Sequence, residues 1–250
     1  MSTLFQDIMQ IPRTYDICNE FLTDTFKNCR DKEYFQNYKK EITYKFNTYG
    51  YRDDEWPTDL ENIVWCLGDS ATLGVGQPFD DAWPQMLQKI LRRRCLNIGQ
   101  EMCSNDTIRL RAEFISKNYK PTNMVIMWSF FHRRRKNGVD IQYDESDFGM
   151  EADLKNFACN FSKVQELNTK VVHFTVPGAF IDYKHFDIGM IEYLFTKFNL
   201  PGKDDVKKIN TFDQVDYGRD HIHWGTMTSQ NICSIIKNSI VIDNSSKYPL

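Results

Sequence analysis

A chain of 250 residues, 41% hydrophobic and 26% charged, fits one large α/β domain with or without an extension and holds enough apolar material for a real core. Its formal net charge of -3 supplies no global field toward nucleic acid or an anionic membrane, so no nucleic-acid partner is expected. No stretch approaches the roughly 18 uninterrupted apolar residues of a membrane span, and the first ten residues lack the basic start and apolar run of a signal peptide.

Residues 1–60 are rich in Tyr, Phe, Asn and Lys and contain a single glycine, Gly50. They are expected to form an N-terminal extension packed on a main domain of residues 61–250. Within the extension, 14–40 reads as one or two short amphipathic helices, 41–48 as a strand, and 49–59 as a loop carrying Gly50, Pro57 and several acids. The Asn, Lys and aromatic bias fits an AT-rich coding genome, of which a viral genome is one kind.

From residue 62 the pattern becomes regular. An apolar run over 62–67 ends at Gly68 and suits a buried parallel strand. The spacing predicts a helix over 82–94 with Trp83, Met86, Leu87, Ile90 and Leu91 on one stripe, Asp81 as its cap and Pro84 in its first turn. A second strand covers 95–98. Ser104 caps a helix that runs to about 118, and a third strand follows over 124–129. Further on come a helix over 152–167, a strand over 171–176, a helix over 188–198 and a last helix over 228–238. Alternating strands and helices imply a parallel sheet covered on both faces, with its site at the carboxyl ends of the strands. That rule selects the loops at 68–76, 99–105, 129–135 and 177–180.

Seven cysteines, an odd number without any Cys-x-x-Cys spacing, argue against a disulfide framework and against a zinc site. A reducing compartment, the cytoplasm, is the simpler expectation. His132, His173 and His185 share no ligand spacing, so no metal site is assigned; His173, inside a strand, reads as a core histidine.

Two loops carry chemistry. Gly68-Asp69-Ser70-Ala71-Thr72-Leu73-Gly74-Val75-Gly76 directly follows the first apolar strand. A serine there presents its hydroxyl at the top of the sheet, where loop and helix-terminal amides favour an anion. Far along the chain, Asp220-His221-Ile222-His223-Trp224-Gly225 precedes the last helix. A serine hydroxyl is a weak nucleophile until a neutral imidazole takes its proton. The imidazole in turn needs a carboxylate to orient it, and Asp220 and His223 offer both groups from one tight turn. Each loop also has a plainer reading, as capped turns beside helices.

Together these strings resemble the first and last blocks of the SGNH/GDSL hydrolases: Gly68-Asp69-Ser70-x-Thr72-x-Gly74-x-Gly76 and Asp220-x-x-His223 with Gly225. Asn97-Ile98-Gly99, then Ser104-Asn105-Asp106 opening a helix, is similar to the second block region. The resemblance spans about residues 62–238. It implies an α/β, three-layer α/β/α flavodoxin-like fold with a mostly parallel central sheet. It also implies acyl transfer by Ser70 as nucleophile, His223 as base and Asp220 as orienting acid, with no cofactor.

Two departures stand out. Family members usually place a glycine where this chain has Met102, whose backbone N–H the resemblance makes an oxyanion donor beside that of Ser70. They also carry an asparagine after the third strand, where this chain reads Trp128-Ser129-Phe130-Phe131-His132-Arg133. Gly99, Met102, Ser129, His132 and Arg133 are therefore the oxyanion and substrate-binding candidates. The cluster Arg133-Arg134-Arg135-Lys136 reads either as a solvated run or as a grip for an anionic group. The expected function is a serine ester hydrolase acting on a small-molecule or carbohydrate O-acyl ester. A non-catalytic binding protein on the same fold and an acyltransferase are the alternatives; oligomeric state is left open.

Overall fold

The computed structural model describes residues 8–9, 23–24, 42–142, 149–177, 188–197, 199, 203–220 and 223–240. In chain order the elements are β1 (Thr23–Asp24), β2 (Ile42–Thr43), β3 (Val64–Gly68), α1 (Ser70–Leu73), α2 (Trp83–Leu91), β4 (Cys95–Gly99), α3 (Asn105–Tyr119), β5 (Asn123–Trp128), β6 (Arg133–Lys136) and β7 (Val139–Gln142). They continue with α4 (Gly149–Gln165), β8 (Lys170–Thr175), α5 (Ile188–Lys197), β9 (Ile209–Asn210) and α6 (Thr226–Ser239).

Five strands build the central sheet in the order β4-β3-β5-β8-β9, and every pairing in it is parallel. Numbered within the sheet, that order is 2-1-3-4-5, the flavodoxin-like doubly wound arrangement. β3, β4 and β5 are buried along their whole length, as strands covered on both faces must be. This explains why they read as continuous apolar runs rather than alternating ones. The chain reverses its winding direction at β3, between β4 and β5, so a crevice opens at the carboxyl end of β3, where Ser70 begins α1.

Helix boundaries follow local chemistry. Ser104 accepts a hydrogen bond from the Thr107 N–H and caps α3. α2 differs from expectation at its start: Ala82 stands at the cap position without a side-chain bond, Asp81 ends the preceding 3₁₀ turn, and Pro84 sits in the first turn. The Asp81 carboxylate instead accepts from the Thr226 hydroxyl at 3.3 Å, at the start of α6. The α2–α6 packing covers one edge of the sheet, with Trp83, Leu87, Ile232, Cys233 and Ile236 all buried.

Two features were not foreseen. β6 and β7 form an antiparallel hairpin directly after the third sheet strand, and β9 adds a short parallel edge beside β8. The expected strand at 41–48 reduces to Ile42–Thr43, paired with Thr23–Asp24, because only two residues find a partner strand. The expected helical reading of 14–40 is corrected at Thr23–Asp24, which are extended; the rest of that span lies outside the described residues. So do residues 178–180 of the loop selected after the strand over 171–176.

Met9 and Tyr51 are buried in the same apolar core as the sheet strands. Tyr51 is fully buried and its hydroxyl donates to the Met9 carbonyl at 2.5 Å. Arg111 on α3 donates from Nε to the Ile8 carbonyl at 3.0 Å. Among the described residues no helix is long and apolar enough to cross a membrane.

Candidate active site

Ser70 is the first residue of α1, and its side chain is nearly enclosed at 6% exposure. Asp69 caps the helix, accepting the Ala71 N–H on Oδ1 at 3.1 Å. The short helix ends at Gly74 in the left-handed region, which turns the chain back over the site. β4 lies close enough that a Cβ on Gly99 would meet the Leu73 nitrogen at 2.3 Å. Gly99 therefore contributes close packing of α1 on the sheet.

The C-terminal turn is fastened to the segment just after α1. Arg219 N–H donates to the Gly76 carbonyl at 2.8 Å. The Gln77 amide donates to the Trp224 carbonyl and accepts the Ser229 hydroxyl at 3.1 Å. The turn is also closed on itself: Gly218 N–H donates to the His223 carbonyl at 2.7 Å and Gly225 N–H to the Asp216 carbonyl at 3.1 Å.

This fastening brings together side chains 153 positions apart: His223 Nε2 lies 2.7 Å from Ser70 Oγ. On the other side of the ring, Nδ1 lies 2.5 Å from Asp220 Oδ2, while the His223 N–H donates to Asp220 Oδ1 at 3.1 Å. An ionised Asp220 can only accept, so the neutral ring carries its proton on Nδ1 and turns the Nε2 lone pair to the serine hydroxyl. Burial acts to lower the His223 pKa. The hydrogen bond and charge of Asp220, then the charges of Asp69 and Glu101, outweigh it, and the net shift is upward from 6.5.

Met102 lies in the turn after β4 with φ of 55°. That is the left-handed region, so the backbone here has the form a glycine takes freely, held by a methionine at a cost of about 1 kcal/mol. The turn is pinned beside β3 by the Gln100 N–H, which donates to the Gly68 carbonyl at 3.1 Å. Arg111 grips the Gln100 side chain. Glu101, in the same turn, was missed from sequence, since a lone acid in a polar loop carries no signal. Burial raises its pKa against the charges of His223 and Arg133, with Asp220 adding to the rise.

The position of the expected asparagine holds a different network. Ser129 Oγ donates to Asp69 Oδ2 at 2.6 Å, and Arg133 Nη1 donates to the same carboxylate oxygen at 2.9 Å and to Ser129 Oγ at 2.7 Å. Arg133 turns inward, with its guanidinium over the Phe130 ring at 4.7 Å. Arg134 and Arg135 are engaged as well, while Lys136 is exposed. Arg134 pairs with Asp153, while Arg135 donates from its N–H to Asp106 and from Nη1 to Thr107. His132 is buried with its ring 5.8 Å from that of Phe130. Asn105, at the start of α3, accepts the Ser129 N–H at 2.8 Å and donates to the Ser129 carbonyl at 3.1 Å. Its amide thus fastens the strand end rather than facing the hydroxyl of Ser70.

The N-terminal segment also reaches the site. The Arg52 guanidinium donates to the carbonyls of Gly74 and, at 2.8 Å, Gln77, and lies 4.2 Å from the Tyr44 ring centre. Tyr44 Oη accepts the Gly76 N–H at 2.8 Å.

No protein-family model matches the chain, and no curated protein does. Among solved structures, the chain is similar to the psychrotrophic esterase EstA from Pseudoalteromonas sp., captured with monoethylphosphonate, at 15% identity and a TM-score of 0.46, covering 71% of this chain and 96% of that one. It is similar to TesA at 14% identity and a TM-score of 0.48, covering 71% and 97%. It is also similar to a G-D-S-L family lipolytic protein from Desulfitobacterium hafniense at 12% identity and a TM-score of 0.46, covering 72% and 99%.

Proposed function

We propose that this chain is a serine ester hydrolase with Ser70 as nucleophile, His223 as general base and acid, and Asp220 as the residue that orients the imidazole. The observation that carries the reading is the continuous line of contacts from Asp220 Oδ2 through His223 to Ser70 Oγ, at 2.5 Å and 2.7 Å. Ser70 Oγ bonds to the acyl carbon while its proton passes to His223 Nε2. The C–O bond to the leaving alcohol then breaks, and that oxygen takes the proton from Nε2. Water adds to the acyl-enzyme by the same route: its proton goes to Nε2, the acid departs, and Ser70 recovers its hydrogen.

The backbone N–H groups of Ser70 and Met102 are the donors proposed for the oxyanion. Ser70 is the first residue of a helix, where N–H groups have no intrahelical acceptor. Loss of one such donor costs roughly 10²–10³ in rate, so a chain with Ser129 where the asparagine is expected fits a slow enzyme. The enclosed serine favours a short acyl group, and an acetyl ester of a sugar hydroxyl is the substrate class we propose.

A fluorophosphonate probe tests the reading. Ser70 is expected to be labelled, with labelling abolished in Ser70→Ala and sharply reduced in His223→Ala. A panel of acetyl-sugar and nitrophenyl esters of rising chain length then reads acyl size, and added alcohols acting as acceptors would indicate transfer instead of hydrolysis. A second reading, a binding protein on the same fold, draws on Ser129, whose hydroxyl is committed to Asp69. Folded protein with an unlabelled Ser70 would favour it.

A further inference from the structure

Asp69 places a carboxylate one residue before Ser70, where its charge acts on the His223 ring and on the Ser129–Arg133 pair. A fixed negative charge there opposes the anion that helix-terminal amides would hold. The chain answers it with a cation at the start of a hairpin that lies outside the central sheet. Arg133 leaves β5 at the start of β6, has a side chain only 9% exposed, and reaches Asp69 Oδ2 at 2.9 Å and Ser129 Oγ at 2.7 Å. The Ser129 hydroxyl closes the triangle by donating to the same Asp69 oxygen. Nε of Arg133 is buried and finds no acceptor among the described residues. The hairpin itself is anchored on α3: Asp140 accepts the Ser104 hydroxyl at 2.5 Å and the Thr107 hydroxyl at 2.6 Å.

We infer that Arg133 is a positioning residue for the reaction: its guanidinium, fixed on Asp69 and Ser129 beneath Ser70, offsets the Asp69 charge where the oxyanion must form. The inference deepens the hydrolase reading and rests on it. It gives the site an electrostatic substitute for the asparagine that this chain lacks, acting through Asp69 and not by touching substrate. The charged groups that act on His223 are Asp220 on its own turn, Asp69 at the end of β3 and Glu101 after β4. Arg133 faces Asp69 and Glu101, with Asp140 and the Cys103 thiol nearby.

The test is a charge cycle: Asp69→Asn, Arg133→Gln, the double variant, and Arg133→Lys as the conservative control. Two readouts are taken, the ring pKa of His223 by NMR titration and the rate of Ser70 phosphonylation by a fluorophosphonate. Removing the anion lowers the His223 pKa and removing the cation raises it, each by about half a pH unit, and the double variant returns close to wild type. Phosphonylation slows roughly 30-fold in Arg133→Gln, recovers most of that loss in the double variant, and is intermediate in Arg133→Lys.

A merely structural Arg133 would change melting temperature and leave the ring pKa still. Ring titrations unmoved in both single variants, or a double variant as slow as Arg133→Gln, would overturn the inference. Should Arg133→Gln fail to fold, the other three variants carry the same signed comparison. Signed ring shifts in the variants, with no label on Ser70 in wild-type protein, would sink the hydrolase reading and leave the charge pairing standing. Normal labelling with an unmoved ring would sink the pairing alone.

Discussion

Gly76 leaves room for Asp220 and for little else: a Cβ at that position would sit 2.7 Å from the Asp220 carboxylate oxygen, and the backbone there has φ of +74°. The proposed triad therefore depends on a missing side chain in the loop after Ser70. Gly76→Ala both strains the backbone and pushes the Asp220 turn away. The expected result is a rate of Ser70 labelling at least about 100-fold lower, since a displacement near 1 Å costs that much. Melting temperature should fall by an amount matching about 1–2 kcal/mol of strain. Unchanged labelling would show that the turn has slack that the close approach denies.

The pH dependence of the proposed reaction follows from His223. The base must be neutral, and its pKa lies above 6.5 because the hydrogen bond and charge of Asp220 outweigh burial. Rate should therefore rise with pH through a midpoint above that of a free imidazole and level off at higher pH. Asp220→Asn removes the chief raising influence, so the midpoint moves down while the plateau falls by roughly 10⁴ through loss of the correct tautomer. Stopped assays across the pH range read both.

Stability has two buried titrations of opposite sign. Burial lowers the His173 pKa to about 3, the ring lying between the Trp128 indole N–H at 3.2 Å and Gln165 at 2.6 Å. The unfolded ring takes a proton near 6.5 and the folded one does not, so stability on this account is lost as pH falls below that value. Burial raises the Asp53 pKa to about 6, partly countered by Arg94 and by the Asn97 N–H. The folded carboxyl holds a proton that the unfolded one has released, so its contribution falls as pH rises from about 4 to 6. In that window the two slopes, each up to about 1.4 kcal/mol per pH unit, oppose one another. Relative to wild type, His173→Phe should gain stability as pH drops from 6 to 4 and Asp53→Asn should lose it; urea midpoints at several pH values check both.

Arg52 ties the N-terminal segment to the loop that follows the nucleophile. Burial lowers its pKa to about 10, which leaves it charged at neutral pH, and its donors serve the carbonyls of Gly74 and Gln77. Arg52→Met keeps much of the volume but takes the guanidinium donor from the Gln77 carbonyl and leaves the Gly74 carbonyl with the Gln77 N–H at 3.2 Å. A loss of about 2–4 kcal/mol is expected by denaturant unfolding. Ser70 labelling should drop in protein that is still folded, because Gln77 holds the His223 turn through Trp224 and Ser229.

Much of the molecule is legible along the chain. Parallel strands buried on both faces must be apolar throughout, so β3, β4, β5 and β8 announce themselves within a residue or two. α3 declares its start through Ser104, whose hydroxyl has one local use. β6 and β7 escaped because Arg133-Arg134-Arg135-Lys136 has no apolar alternation; Arg133 and Arg134 pair with Asp69 and Asp153, and Arg135 bonds Asp106 through its backbone N–H and Thr107 through Nη1, all partners distant in sequence. Glu101 and Arg52 escaped for the same reason. A polar residue in a loop gains its role from neighbours that only folding supplies.

Local order along the polypeptide, set by side-chain periodicity and by short-range caps and turns, predicts an α/β chain; Ser70, Asp220 and His223 are singled out by their two loops together with the resemblance of those strings to the SGNH/GDSL blocks. Whether a hydroxyl and an imidazole 153 positions apart come within 2.7 Å was decided by long-range contacts: Gly76 and Gln77 docking the C-terminal turn, and Arg133 burying its charge against Asp69. The reason is physical. Backbone propensity acts over a few residues, whereas pairing of buried polar groups depends on which of them the packed core brings together.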